Sequence, residues 1–210
     1  RNNIVSRAKM LGYTPRSARG ATASVQLIMT TSGSPTSVTI PRNLKFSTTI
    51  DGVSYNYVTT EQVIVNSNAS GVYSTNIDIK EGDPLTHRFT VDSNNPVKFI
   101  IPNDNVDTTT LKVDIVTSSS NSSSRTFNQA SSLASLTSNS YVYFLEETSD
   151  TRYELIFGDD ILGKKLDNGN IVTIGYNVCN GSETNGANTF TLTDSITDVT
   201  STTINLLSRA

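Results

Sequence analysis

Apolar and polar residues alternate with a period of two along most of this chain. The first clear run places Val25, Leu27 and Met29 on one side of an extended segment, and successive side chains of a strand point to opposite faces of a sheet. Similar runs follow in the ranges 44–50, 53–57, 73–79, 85–91, 97–101, 111–115, 141–145 and 153–157. The range 171–178 has apolar residues on both faces, as in a strand that is covered on both sides. The pattern predicts a mainly β fold.

Two dipeptides between these runs predict tight turns. Asp51-Gly52 separates two alternating segments, which is a strong signal for a two-residue hairpin. Asn168-Gly169 stands before the run 171–178, and both residue types tolerate positive φ.

Helical spacing is limited to two short stretches. Ile4, Ala8 and Leu11 recur at intervals of three to four residues, and Gly12 provides a C-terminal stop. Apolar residues from Phe127 onward have the same spacing and predict one short helix near 126–137. The expected fold class is therefore mainly β, with α+β character at its margins.

A Ser- and Asn-rich stretch predicts where the chain divides. Residues 118–125 are almost purely polar and small, as expected of a connector between two β-rich lobes. The predicted order is an N-terminal helix and linker (1–19), a β-rich lobe (20–117), the connector (118–125), a second β unit (126–190) and a C-terminal segment (191–210). The apolar residues 204–207 of the last segment need a partner, either in this chain or in a further domain.

Charge and length exclude several classes of function. The chain has 210 residues, a net charge of −3 and 17% charged residues, so it lacks the basic surface that binds nucleic acid. No apolar run reaches 18 residues, so no membrane span is predicted. The chain begins with arginine rather than methionine, and we expect a piece of a longer protein.

Candidate catalytic and metal-binding residues are few. His87 is the single histidine and shares its strand face with Leu85 and Phe89, which favours a structural role. The lone Cys179 cannot form an intramolecular disulfide or a cysteine metal cluster. The adjacent Asp159-Asp160 pair favours caps of a turn, with metal binding as the alternative. We predict no catalytic, cofactor-binding or metal site, and hence no enzyme.

The stretch from 153 to 188 carries the most distinctive local pattern. An aromatic residue ends one strand, Gly-Asp begins a turn, and further glycines precede a Val/Ile-rich strand with a tyrosine. The marked positions are Phe157, Gly158, Asp159, Gly163, Gly169, Tyr176, Gly186 and Asn188. This pattern resembles the signature of baseplate J-like proteins, and in particular that of the wedge proteins of T4-like contractile-tailed phages. Asp160 stands where a second glycine is usual, and Ala187 separates the closing glycine from its asparagine.

The resemblance extends upstream in family order. The matching segments are Gly12–Ala18, Val38–Pro41 with Phe46, Asp51-Gly52 with Tyr55, Asp107–Val113 and Tyr141–Glu147. Asn43 and Leu44 replace a Gly-Thr pair of the family.

The resemblance implies a structural subunit of a contractile phage-tail baseplate, within the contractile injection systems. Such a wedge subunit scaffolds the inner ring around the hub, and the ring rearranges to license sheath contraction. It implies contacts with copies of itself, as a dimer or ring, and with neighbouring wedge proteins. The implied location is the virion, after assembly in the host cytoplasm. The alternative is a secreted or tail-fibre β-sandwich module, an adhesin or carbohydrate-binding domain, which would project aromatic rings into solvent.

Overall fold

The computed structural model describes residues 17–68, 71–121, 123–130, 132 and 135–210. Fifteen strands and one 3-10 turn occur in this part of the chain. The elements are β1 (Thr22–Thr31), β2 (Ser37–Ile40), β3 (Lys45–Ile50), β4 (Val53–Thr59), β5 (Val63–Asn66), β6 (Tyr73–Glu81), β7 (Asp83–Thr90), β8 (Phe99–Ile100), β9 (Val106–Val116), β10 (Ser124–Gln129), β11 (Val142–Glu147), β12 (Tyr153–Phe157), β13 (Ile171–Val178), the 3-10 turn (Gly181–Thr184), β14 (Thr191–Leu192) and β15 (Val199–Ser208). The predicted mainly β fold is confirmed.

The short helix predicted near 126–137 is wrong. Residues 124–129 form β10, which pairs antiparallel with β9 and parallel with β11, and no helix occurs among the described residues up to 137. Phe127 lies opposite Val113 and is buried. Pairing on both edges provides hydrogen-bond partners for the backbone N–H and C=O groups of β10. These sheet contacts outweigh the helical spacing of the apolar residues in this stretch. The helix predicted at 4–11 lies outside the described residues.

The chain forms two compact units. We call them the inserted unit, which holds residue 17 and residues 85–176, and the flanking unit, which holds residues 18–84 and 177–210. The division falls within β7 and β13. The Ser/Asn-rich residues 118–121 and 123 instead join β9 to β10, which are paired strands of the inserted unit.

The inserted unit is built on one seven-stranded sheet. Its strand order is β7-β13-β9-β10-β11-β12-β8. The rings of Phe89 on β7 and Phe99 on β8 are 5.4 Å apart, so the two end strands of the sheet approach each other. The buried side chains include Ile101, Val113, Phe127, Tyr143, Leu155 and Ile174.

The flanking unit combines a six-stranded sheet, of order β14-β3-β4-β6-β1-β15, with the pair β2-β5. Both sheets contribute to one hydrophobic core. The side chains predicted to share a face of β1, namely Val25, Leu27 and Met29, are all buried there. Asp51 and Gly52 have φ values of 50° and 83° and join β3 to β4, which confirms the predicted hairpin.

The C-terminal segment finds a partner within this chain. β15 pairs antiparallel with β1, with Ile204 opposite Leu27, and Ile204 packs against the core of the flanking unit. Leu206 and Leu207 remain 37% and 52% exposed. None of the described residues forms a helix long and apolar enough to cross a membrane.

Candidate functional site

The turn after β12, which we call the signature loop (residues 157–166), contains two glycines, Gly158 and Gly163, that lie in close contact. A β-carbon on Gly158 would lie 2.2 Å from both the carbonyl carbon and the oxygen of Gly163. Gly163 itself has a φ of +93°, and a β-carbon there would lie 2.9 Å from a methyl carbon of Val142. The backbone of this loop therefore folds tightly because neither position carries a side chain.

Asp159 fixes the first half of the signature loop. Its Oδ1 accepts hydrogen bonds from the backbone N–H groups of Leu162 (2.9 Å) and Ile161 (3.0 Å). These two bonds, the first being the stronger influence, hold the pKa of the Asp159 carboxyl below its usual range. The carboxylate thus caps backbone donors within the loop.

Asp160 stands where the resembled pattern has a second glycine, and it has a backbone conformation that glycine favours. Its φ is +67°, in the left-handed region that aspartate tolerates better than most residues. Its Oδ1 accepts from the Lys165 backbone N–H (3.0 Å) and from the Lys164 ammonium (3.1 Å). These bonds lower the pKa of Asp160, with the Lys165 backbone bond as the main cause. Asp160 therefore adopts the left-handed conformation of this turn, and its side chain adds two hydrogen bonds across it.

The loop is also held by the chain segment that precedes β11. The Gly163 N–H donates to the carbonyl of Thr137 at 3.1 Å, and the Lys164 N–H donates to the carbonyl of Ser140 at 2.8 Å. At the tip, Ile161 is 73% exposed and Leu162 is 43% exposed. A backbone fixed on both sides therefore presents two adjacent apolar side chains to solvent.

The second turn of the pattern precedes β13 and is tied to the end of β7. Gly169 has a φ of +84° with open space around the position of a β-carbon, and its N–H donates to the carbonyl of Val91 at 2.8 Å. The side chain of Asn170 accepts from the Asp167 N–H at 3.0 Å and donates to the carbonyl of Thr117 at 3.2 Å. Gly169 is thus required for its backbone conformation rather than for lack of space.

Phe157 belongs to a row of edge-to-face aromatic rings. Its ring lies 5.2 Å from that of Phe99 and 5.7 Å from that of Phe127. The row continues from Phe99 through Phe89 to His87 at spacings of 5.4 and 4.6 Å. His87 is half-buried at the end of this row. The sequence pattern predicts Phe89, Phe99 and Phe157 on strand faces but Phe127 in a helix. It does not predict the row, because the members of the row come from four strands.

A cleft of about 370 Å³ lies beside the signature loop. It is lined mainly by Val91, Pro96, Val97, Phe99, Phe157 and Leu166. The sequence pattern does not reveal this cleft, because it predicts the ranges 85–91 and 97–101 only as strands.

The predicted signature positions fall in both units. Tyr176 lies in the inserted unit and donates from its hydroxyl to Asn103 Oδ1 at 2.5 Å. Gly186 and Asn188 lie in the flanking unit. There Gly186 has a φ of +92° and donates to the carbonyl of Ala210 at 2.8 Å. Ala187 packs in the core, whereas Asn188 is exposed.

A buried carboxylate that sequence analysis did not identify anchors the 3-10 turn of the flanking unit. Glu81 is fully buried and accepts from the Asn180 backbone N–H at 3.1 Å and from its side-chain amide at 2.8 Å. The Tyr57 hydroxyl donates to the carbonyl of Thr184 at 2.9 Å, and burial raises the pKa of Tyr57 to about 12. These polar groups determine where the turn lies against β4 and β6.

Within the described ranges, no three His, Cys, Asp or Glu side chains are placed to hold a metal ion together. The carboxylates of Asp159 and Asp160 are instead directed toward N–H groups of their own loop.

These features define a β-sheet protein whose turns are fixed by close backbone contacts. Residues 20–82 match the family model for domain II of the baseplate wedge protein gp6, and this match nearly coincides with the first segment of the flanking unit, residues 18–84. The chain is also 26% identical to baseplate wedge protein gp6 of Enterobacteria phage T4 over 223 aligned positions, which cover 98% of this chain and 33% of that relative. The chain thus spans about a third of the length of the relative it matches. Together the two similarities support a baseplate wedge-like protein.

Proposed function

We propose that this chain is a structural subunit of the wedge of a contractile tail baseplate, part of the inner ring around the hub. The observation that carries the proposal is the similarity to the T4 wedge protein along 98% of the chain. The match of residues 20–82 to the family model for domain II of the same wedge protein supports the same role.

The proposed mechanism is mechanical rather than enzymatic. The ring changes its arrangement on host contact and so licenses contraction of the sheath, which requires subunit interfaces with more than one stable packing. The baseplate J-like pattern supplies rigid turns for such interfaces, since Gly158, Gly163 and the two aspartates fix the signature loop from within. No cofactor, nucleic acid or membrane enters this mechanism, and assembly takes place in the host cytoplasm.

The proposed partners are further copies of this chain, as a dimer or ring, and neighbouring wedge proteins. We assign one contact to the signature loop, because its exposed Ile161 and Leu162 stand on a backbone that is already ordered. An ordered loop loses little conformational entropy when it binds. Each stable contact should bury about 1,200 Å² or more in total.

The proposed function can be tested by locating the chain in the phage particle. A small folded tag is inserted into the exposed serine-rich turn near residues 118–121, a type of site that tolerates insertion. Electron cryomicroscopy then compares tagged and untagged virions. We expect additional density in the baseplate, repeated around the tail axis. Additional density on the tail fibres, or virions that lack the chain altogether, would refute the proposal.

The alternative of an adhesin or sugar-binding module gains no specific support. Such a module stacks sugars on exposed aromatic rings. Among the described aromatic residues Tyr141 is the most exposed, at 38%, and the guanidinium carbon of Arg125 lies 4.6 Å from the centre of its ring. The guanidinium already occupies one face of that ring.

A further inference from the structure

The two end strands of the six-stranded sheet line one cleft of about 460 Å³ in the flanking unit. β14 pairs with β3 and β15 pairs with β1, so each strand has its other edge available. The cleft is lined by Phe190, Thr191, Leu192, Asp194, Ser195, Ile196 and Val199 and by four residues of β15, namely Thr200, Ser201, Thr202 and Ile204. We call it the seam cleft.

The walls of the seam cleft are joined at both ends. At one end the Gly186 N–H donates to the carbonyl of Ala210 at 2.8 Å, and the Ala210 N–H donates to the carbonyl of Ala187 at 3.3 Å. At the other end residues 193–198 connect β14 to β15, and the Val199 N–H donates to the carbonyl of Ile196 at 3.2 Å. The described residues show no pairing of β14 with β15 between these ends.

An open stretch between two strand edges favours a particular kind of ligand. Edge strands present N–H and C=O groups in a row, and an added extended segment pairs with them. Thr200–Ile204 extends over about 13 Å at roughly 3.3 Å per residue, which matches a segment of four or five residues. A cleft of this volume lies in the range of peptide- and ligand-sized pockets.

The lining determines the chemistry of that segment. Phe190, Leu192 and Ile204 pack against the hydrophobic core and give the cleft an apolar floor. Serine and threonine side chains make up much of the remaining lining, and Asp194 is its one ionisable residue. Asp194 is exposed and accepts from the Lys45 N–H at 3.1 Å. The lining therefore suits an apolar side chain on one face of the segment and a basic side chain near Asp194, and it disfavours acidic residues.

We propose that the seam cleft binds an extended peptide segment of a partner protein, through backbone pairing with β15 and a basic residue beside Asp194. This site is separate from the signature loop, and its chemistry does not depend on the baseplate role. Failure of one proposal therefore leaves the other standing.

The test uses a capped peptide, acetyl-Thr-Val-Thr-Val-Lys-Thr-amide, added to the 210-residue chain at millimolar concentration. Amide NMR shifts report the site of binding. We expect concentration-dependent shifts centred on residues 191–192 and 200–204. A control peptide with proline in place of the second valine lacks one backbone donor and should bind at least fivefold more weakly.

Two neighbouring variants on β15 provide a matched control. Thr202→Phe should fill the seam cleft and weaken binding at least tenfold. Thr203→Phe adds the same ring one residue along the strand, where side chains point to the opposite face and where the residue does not line the cleft, so it should bind as the parent chain does. Equal binding by both variants, or an absence of shifts in the parent chain, would overturn the proposal.

The charge requirement has its own test. Asp194→Asn keeps an acceptor for the Lys45 N–H and removes the negative charge. It should weaken binding of the lysine peptide about two- to fivefold, as expected for an exposed ion pair, and leave a peptide with threonine in place of lysine unaffected. An equal effect on both peptides would exclude the assigned position of the basic residue.

Discussion

Gly158 lies against Gly163 so closely that a β-carbon on the first residue would stand 2.2 Å from the carbonyl carbon of the second. The atoms that a β-carbon would meet belong to the backbone of Gly163 and not to a movable side chain. The backbone of the loop must therefore shift before position 158 can hold any larger residue. This contact explains why glycine is needed at position 158. Position 163 needs glycine for other reasons, namely its φ of +93° and the 2.9 Å that would separate a β-carbon there from a methyl carbon of Val142.

Gly158→Ala should lower the free energy of unfolding by about 2–3 kcal/mol, the usual cost of forcing atoms into a packed site. Gly175→Ala is the matched control. A β-carbon there meets its nearest neighbour, the Lys112 carbonyl oxygen, at an ordinary 3.8 Å, and its effect should stay within about 1 kcal/mol. Urea denaturation of the three proteins measures both values. Equal urea midpoints for Gly158→Ala and Gly175→Ala would show that the backbone of the signature loop shifts at little energetic cost.

At Gly169 the obstacle is backbone conformation alone. With a φ of +84° and open space around it, Gly169→Ala should cost about 1 kcal/mol and Gly169→Val more, because β-branched residues are strained most in the left-handed region. The same denaturation experiment ranks the variants. If valine were tolerated as well as alanine, the turn could not have the positive φ described here.

Phe157→Ala should cost about 2 kcal/mol, somewhat less than the loss of a fully buried phenylalanine, because its ring is half-buried. Its edge-to-face contact with Phe127 at 5.7 Å should appear in a double-mutant cycle as a coupling of about 0.5–1.5 kcal/mol. The cycle compares Phe157→Leu, Phe127→Leu and the double variant by urea denaturation. Strict additivity would show that the rings pack without a specific interaction.

The aspartates of the signature loop should make the structure of the loop sensitive to acid but not to a rise of the pH above neutrality. The pKa values of Asp159 and Asp160 are lower in the folded protein than in the unfolded chain. The ionised carboxylates therefore stabilise the fold above the ordinary carboxyl pKa of about 3.9. This stabilisation is lost as the pH falls through the lowered pKa values of the folded protein. The Lys165 amide signal in an NMR titration should therefore change below about pH 4 and stay constant from pH 5 to 8. Asp160→Asn should abolish that change. A midpoint above pH 4 in the parent chain would contradict the hydrogen bonds assigned to Asp160.

Self-association should depend on the tip of the signature loop. Replacing Ile161 and Leu162 by serine removes two exposed apolar side chains and should shift the chain toward monomer in sedimentation velocity across a concentration series. Val53→Ser is the control, since Val53 is also exposed, at 52%, but lies at a hairpin of the flanking unit. An unchanged distribution in the loop variant would remove this tip from the proposed interface.

Local features of the fold could be predicted from the sequence, whereas long-range ones could not. Asp51-Gly52 needs only its own backbone preferences to form a hairpin, and Val25, Leu27 and Met29 need only their alternation to identify a buried face. Phe127 was misassigned because its spacing to the next alanine suits a helix, while its burial comes from Val113 on a neighbouring strand. Pairing partners are chosen by the whole sheet, and no local pattern encodes them.

The candidate site shows the same limit. The glycines and aspartates of the signature loop can be identified in the sequence. So can the aspartate at position 160, where the resembled pattern has a glycine. The aromatic row and the seam cleft depend on strands that are distant in sequence, such as β1 and β15, in which Leu27 lies opposite Ile204. Alternation alone cannot reveal which strands become the ends of a sheet.

The discontinuous flanking unit has a consequence for synthesis on the ribosome. Its first segment emerges early, but β15 follows only after the whole inserted unit, residues 85–176, has been translated. Until then the edge of β1 that later receives β15 is uncovered, and an uncovered strand edge is prone to pair with other nascent chains. The inserted unit, whose strands are continuous in sequence, can complete its sheet first. Slow translation through residues 177–210 would therefore prolong the period of greatest risk of aggregation, and its effect would be greatest where many copies are made at once.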